Sequence, residues 1–304
     1  MPFTQTGPRP DLAALPVNLP EGYIGNSVFP VSPVADKSGT IYYATVTADS
    51  AAQTGRSAGT APTGTQISDS STTYTAAEAI KRGSVTPDEA KQFGGIEKAD
   101  EYGAKWAKRQ VLNAIEGAQR TALFTPAASA TFDPAKLLSQ SQTALDGIRL
   151  YEGRTALVAA TTVLKKVVQE ILGDSKFGPV FARLISGSSP REAATGLNFE
   201  AWKSGLALFL GVDVVLAGAS NIWDAGAAAG KFAFTKIDAS NDPMSHKWMP
   251  VLGKTFMYYP DGVQPFEVRS IADEVARNNH YDALSWYNVV TLNSGAIYVV
   301  DGVA

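Results

Sequence analysis

The chain has 304 residues, enough to bury a sizeable core in one large domain or in two to three lobes. A net charge of -3 with no local run of Lys or Arg excludes the electrostatic footprint of a nucleic-acid binder, and the lack of cysteine excludes a disulfide framework, a thiolate nucleophile and a Cys-ligated metal. Charged residues make up 18% of the chain, slightly less than usual, which leaves room for surface covered by something other than water.

The first residues, MPFTQTGPRPDLAALP, place no apolar stretch behind a basic start, which argues against a secretory signal peptide. No apolar run approaches the roughly 20 residues of a membrane span, so a chain made in soluble form in the cytosol is expected. In EGYIGNSVFPVSPVADKSGTIYY, Val28, Phe29, Val31 and Val34 follow no helical or strand period and are interrupted by Pro30 and Pro33. Proline removes backbone donors and biases its predecessor toward extended geometry, so residues 1 to 36 are expected to run out as an arm. The apolar side chains of that arm then need a surface supplied from elsewhere.

From Thr40, TIYYATVTA is rich in β-branched and aromatic residues and reads as a strand. Asp49 to Ser71 follows with almost only small and polar residues, Ile67 excepted, and cannot bury a core of its own. A second strand-like run, TTYTAAEAI, closes it. Two strands around such a tip describe a protruding hairpin whose loop far exceeds the usual two to five residues; a disordered surface loop is the alternative.

The strongest single element is residues 96 to 124. Ile96, Ala99, Gly103, Trp106, Ala107, Val111, Ala114, Ile115, Ala118 and Ala122 recur at steps of three and four, the apolar stripe of a long amphipathic helix. Glu97, Glu101 and Lys105 lie four apart on its polar face, as do Glu116 and Arg120, and Thr125 and Pro126 end it. A second helix starts with Asp133 as N-cap and Pro134 in the first turn. TALVAA from Thr155 is a buried strand, TTVLKKVVQEILGD a helix closed by Gly173, GLNFEAWKSGLALFLG a helix ending at Gly211, and VDVVLAG a further buried strand. Residues 150 to 240 thus form an α/β lobe. The last part reads as strands, KTFMYYPDG, the long run from Pro265 to Asn293, and AIYVV, with RNNH as a hairpin turn; EVRSIADEVA could instead be a short helix.

Catalytic constellations are thin. His246 and His280 stand in loop-like surroundings without HExxH spacing and are expected at a surface or interface. GAAAGK, Gly226 to Lys231, is one residue short between its glycines for a phosphate loop and has Phe232 where a metal-binding hydroxyl should stand, so it reads as a small-residue turn. Asp146, Glu152 and Asp213 form a carboxylate pair only if the fold assembles one. The tryptophans, Trp106, Trp202, Trp223, Trp248 and Trp286, are spread over every segment, as core or interface anchors are.

The order arm, long hairpin, long amphipathic helix, α/β lobe and terminal strands resembles the major capsid proteins of tailed bacteriophages, the Hong Kong ninety-seven fold family. YIGNSVFPVSPVADKSGTIYY is similar to that family's arm entering its extended loop, residues 96 to 124 to its spine helix, and GLALFLGVDVVLAGASNIWD to a stretch of its axial domain. The resemblance implies an α+β fold divided as arm 1–36, extended loop 37–84, peripheral domain with spine helix 85–150, axial domain 151–245, and a return to peripheral strands over 246–304. It implies a capsid protein, with no enzymatic activity and no cofactor. Hexamers and pentamers would close an icosahedral head around double-stranded DNA, assembled in the host cytoplasm with a portal, scaffolding and decoration proteins as partners and without a membrane.

In that family the arm and loop of one subunit lie across neighbours, so Tyr23, Val28, Phe29 and Val31 are expected between chains. Arg56 at the loop tip and the Glu97, Glu101 and Lys105 face of the spine helix are further expected contacts. The negative net charge suits a container that holds DNA without gripping it, an expectation that a strongly basic inner wall would contradict. Some relatives cross-link through a loop-tip lysine, but Arg56 is the one basic residue between Asp49 and Ser71, so boiled, reduced shells are expected to run as monomers and not as a covalent ladder. The chain starts at Met1 directly in the arm, from which a separate scaffolding protein is expected. An encapsulin-like shell around an enzyme cargo is the main alternative. An α/β enzyme with its site in the 150–240 lobe and a tail or decoration protein are the others.

Overall fold

The computed structural model describes residues 4–17, 22–47, 66–92, 94–186, 199–240, 242–259, 264–273 and 278–303. The chain opens with strand β1 (Thr4–Pro8), the helical turns α1 (Pro10–Ala13) and α2 (Gly25–Val28), and strand β2 (Val31–Val34). The arm expectation is corrected here. Val28 and Phe29 are fully buried in the chain's own largest core, and Tyr23 is half-buried. The physical reason is a partner far along the sequence: a carboxylate on the long helix takes the backbone N–H groups of Ile24 and Gly25, which bends the chain into a turn and aims Phe29 inward. The prolines are accommodated because β2 lies at a sheet edge, where Pro33 needs no donor.

Strands β3 (Ser38–Thr47) and β4 (Gln66–Thr75) pair antiparallel over ten residues each, the expected hairpin. Its tip, Arg56 included, lies outside the described residues. The expected second strand is in fact split. Residues up to Thr75 belong to the hairpin, whereas β5 (Ala77–Val85) leaves it and joins another sheet. A Thr86–Glu89 capping box then starts α3 (Pro87–Gln92).

Helix α4 (Ile96–Phe124) has the bounds read from its periodicity. One stripe residue does not follow the pattern: Trp106 is 46% exposed, while Ala99, Ala104, Ala107, Val111, Ile115 and Leu123 face the core. Beyond α4 come β6 (Ala130–Thr131), a 3₁₀ turn in which Asp133 caps Ala135, α5 (Leu137–Ile148), β7 (Arg154–Ala160), α6 (Thr161–Gly173), α7 (Gly178–Ser186), α8 (Phe199–Leu210), β8 (Val214–Gly218), α9 (Ser220–Trp223) and β9 (Phe232–Ile237). GAAAGK is a turn, with Gly226 and Gly230 at φ of 58° and 65°. The last strands are β10 (Gly253–Tyr258), β11 (Glu267–Asp273), β12 (Asn278–Thr291) and β13 (Ile297–Asp301). EVRSIAD is therefore strand and not helix, with each of its residues paired antiparallel along β12.

Two larger sheets result. In the first, β12 is the spine: β11 and β10 follow each other along one edge, and β5 occupies the opposite edge, since Trp286 and Tyr287 pair with both β10 and β5. Edge strands β1 and β2 complete it, and α4 packs across β5 and β12. The second sheet has the order β6-β13-β9-β7-β8 and is covered by α5, α6 and α8. The C-terminal strand thus sits with the α/β lobe, and not with the peripheral strands as expected. Its hydrogen-bonding partner is β9.

Helix α4 approaches its sheet closely at two glycines. A Cβ on Gly83 would stand 2.3 Å from the Gly103 carbonyl oxygen, and one on Gly103 would stand 2.4 Å from the Tyr281 ring. Backbone cannot step aside as a flexible side chain can, so Gly83→Ala should cost about 1–3 kcal/mol by forcing helix and sheet apart. Urea unfolding of the purified chain measures it.

His246, expected at a surface or interface, is only 2% exposed, in the 3₁₀ turn Ser245–Lys247 and edge-on to Phe256 at 5.5 Å between ring centroids. The turn folds under the hairpin root and carries the ring inward with it. Burial first, and the Lys254 charge second, push its pKa down to about 4. The unfolded chain binds the proton from about pH 6.5 downward while the folded chain refuses it, so stability is lost as pH falls from there toward about 4, with a slope approaching about 1.4 kcal/mol per pH unit. Thermal melts should show this loss in the parent chain and a flatter profile in His246→Gln.

Candidate functional site

The buried polar groups serve as joints between elements. Glu116 on α4 accepts at one oxygen from Ile24 N (2.7 Å), Gly25 N (2.8 Å) and Trp223 Nε1 (2.8 Å), tying the N-terminal segment and the α/β lobe to the long helix. Burial raises its pKa against the pull of those three donors. One turn on, Gln119 Nε2 donates to Asn26 Oδ1 and to Thr255 Oγ1, both at 2.8 Å. Lys108 Nζ donates to the carbonyls of Ala13 (2.7 Å) and Leu15 (2.5 Å), and burial pushes its pKa down to about 8. Lys254 on β10 and Asp238 after β9 form an ion pair of 2.6 Å with side chains 0% and 1% exposed. Tyr281 donates to Asp100, and Arg82 pairs with Asp282 through two contacts of 2.6 and 2.7 Å.

None of these joints sets a nucleophile beside a base. Among the described residues no group of three or more His, Asp or Glu side chains could hold a metal, and no helix is long and apolar enough to cross a membrane. Asp213 is engaged by the Thr155 backbone N–H at 2.7 Å, and among the described residues no hydrogen bond joins it to Asp146 or Glu152. His280 Nδ1 lies 2.8 Å from Ser84 Oγ across the β12 and β5 pairing.

The surface is more informative. Of the expected contact residues, Glu97 and Glu101 are exposed on α4, with Lys105 3.3 Å from Glu101. Tyr102 and Trp106 lie on the same outer side, 49% and 46% exposed. Phe29 does not belong to this set. A second exposed group, Tyr42, Met244 and Trp248, surrounds the hairpin root, where Ile41, Tyr74 and Phe256 make the small cluster that fastens the hairpin to the body. Sequence reading named Trp248 only as one of five core or interface anchors and missed Met244, because their turn carries no period. On a helical wheel Trp106 falls beside Ala99 and away from the Glu97, Glu101 and Lys105 face, which is why it was read into the apolar stripe.

No protein-family model and no curated protein matches the chain. Solved structures do. A phage-related protein from Bordetella bronchiseptica aligns over 98% of this chain and 99% of its own at 15% identity, with a TM-score of 0.62. The capsid of an empty GTA particle aligns over 96% and 94% at 11% identity and a TM-score of 0.54. The capsid of cyanophage P-SCSP1u aligns over 95% and 91% at 9% identity and 0.51.

Proposed function

We propose, for a chain that has the Hong Kong ninety-seven-like phage capsid fold, that it is a major capsid protein whose hexamers and pentamers close an icosahedral head around packaged double-stranded DNA. In this reading the β3–β4 hairpin is the extended loop, α4 the spine helix, the β12-centred sheet the peripheral domain and the β7-centred sheet the axial domain. The observation that carries it is the hairpin: two strands of ten residues that form a sheet of their own, fastened to the body through a three-residue cluster. An isolated two-stranded ribbon is marginal in water and gains stability when a neighbour covers it. Scaffolding protein, portal and virion location belong to the same proposal.

Light scattering on the purified chain, with and without a candidate scaffolding protein, tests it. Particles many times the 32.1 kDa of the subunit are expected, and subunits that stay monomeric in both conditions would refute it. Nuclease-protected double-stranded DNA inside particles from infected cells separates this reading from an encapsulin-like shell, which would hold an enzyme cargo instead.

A further inference from the structure

An unpaired strand edge is a template for another chain unless something blunts it. In this chain β1 is blunted by Pro8 and by a register break between Gln5 and Pro8, and β2 by Pro33. β6 has two residues, and β8 has five and runs into Ala219, whose N–H bonds the Gly22 carbonyl. β3 has Ile41 and Ala44 buried, and the Ala44 carbonyl accepts from Asn293 Nδ2 at 3.2 Å. The long edges left bare are those of β4, QISDSSTTYT, and β5, AEAIKRGSV. Both lack proline and run without a bulge, and each pairs along one side alone, β4 with β3 and β5 with β12. Among the described residues no other backbone–backbone bond reaches either strand. Asp69, Ser71 and Thr73 on β4 and Ile80, Lys81 and Ser84 on β5 are exposed.

These two edges have no way to meet within one chain. Ala76 alone separates Thr75 from Ala77, one residue short of the tightest common hairpin loop, and a parallel pairing needs a crossover of about a dozen residues. They match in length, ten residues against nine. Their charges match as well. Arg82 is taken by Asp282 and Glu78 accepts from the Trp286 indole, which leaves Lys81 as the uncommitted charge of β5 among the described residues, while Asp69 is the one charge of β4. A β5 edge laid on a second β5 in full antiparallel register would set Lys81 opposite Lys81, a destabilising pair.

We propose that β4 of one copy of the chain pairs antiparallel with β5 of a second copy, with Asp69 opposite Lys81. This register runs from Gln66 opposite Ser84 to Thr73 opposite Ala77 and lays the hairpin onto the β12-centred sheet of its neighbour as two further strands. Main-chain hydrogen bonds supply the affinity, as in other strand additions, and the charge pair sets the register. The two edges are different surfaces of one chain, so the contact is heterologous, and repetition closes a ring where the rotation allows. The inference rests on the shell reading above and adds to it the strand pair that joins neighbouring copies.

In particles of the parent chain every amide of β4 and β5, the outward-facing ones included, should exchange slowly with deuterated water; fast exchange at alternate residues of both strands would overturn the pairing. The chain has no cysteine, so Asp69→Cys chains mixed with Lys81→Cys chains give a clean second readout with a short bis-maleimide. Mixed particles should yield covalent dimers, and particles of either variant alone should run as monomers. Mixed particles without dimers, or dimers from Asp69→Cys alone, would overturn the pairing and leave the shell reading standing. Asp69→Lys and Lys81→Asp should each raise the concentration at which particles form by roughly fivefold, and the two combined in one chain should restore it. Single variants that assemble like the parent, or a double variant no better than the singles, would overturn the register. A parent chain that forms no particles at all would remove the shell reading and the contact together.

Discussion

Asp238→Ala is expected to destabilise the unassembled subunit by about 3–5 kcal/mol, the usual result of removing one partner of a buried ion pair. Asp238 closes β9 of the α/β lobe and Lys254 lies in β10 of the other sheet, so their 2.6 Å contact bridges the two. Burial alone would raise the Asp238 pKa, but the Lys254 ammonium, the Ser245 hydroxyl and the Ser240 N–H hold it below the ordinary value. Alanine leaves the ammonium with only the Asp242 carbonyl at 3.4 Å among the contacts the wild type gives it. Adding Lys254→Met removes the stranded charge, so the double variant should recover most of the loss. Urea unfolding of the four proteins in the cycle provides the numbers. If the double variant were as unstable as Asp238→Ala alone, the ion pair would not be what joins the sheets.

Glu116→Ala should be nearly as damaging. It strands two backbone N–H groups and the Trp223 indole, each buried donor costing about 1–3 kcal/mol when left unpaired, so a total above about 3 kcal/mol is expected. Gln at this position keeps an acceptor oxygen and should cost much less. The pH signature is opposite to that of His246. Because burial raises the Glu116 pKa, the folded chain binds this proton more tightly than the unfolded chain. The penalty of its buried charge is therefore present above the folded pKa and relieved as pH falls toward the free value. Glu116→Gln should thus lose an acid-side stabilisation, whereas His246→Gln loses an acid-side destabilisation. Melting temperatures across pH 4 to 7 for both variants distinguish the two.

Legibility in the sequence followed the range of the interactions. Helix α4 was readable to the residue because its period, its i to i+4 charges and its Thr125-Pro126 ending are all local. Strand β7 and helix α6 were readable for the same reason. The arm was misread because prolines report only their neighbours. What folds residues 24 to 29 back is Glu116, 92 positions away from Ile24. Strand β9 is as buried as β7 but went unseen because Thr235 and Lys236 interrupt its apolar run. His246 was misplaced because a short polar turn gives no sign of the hairpin root above it. At the surface, the charged face of α4 was found, but Trp106 was assigned to the core, and it is 46% exposed.

Negative-stain electron microscopy of the purified chain, expressed alone and then with a candidate scaffolding protein, tests the shell reading most directly. Closed icosahedral particles or hexameric rings are the predicted result. A uniform field of compact monomers under both conditions would contradict it, because the hairpin would then have no neighbour to cover it.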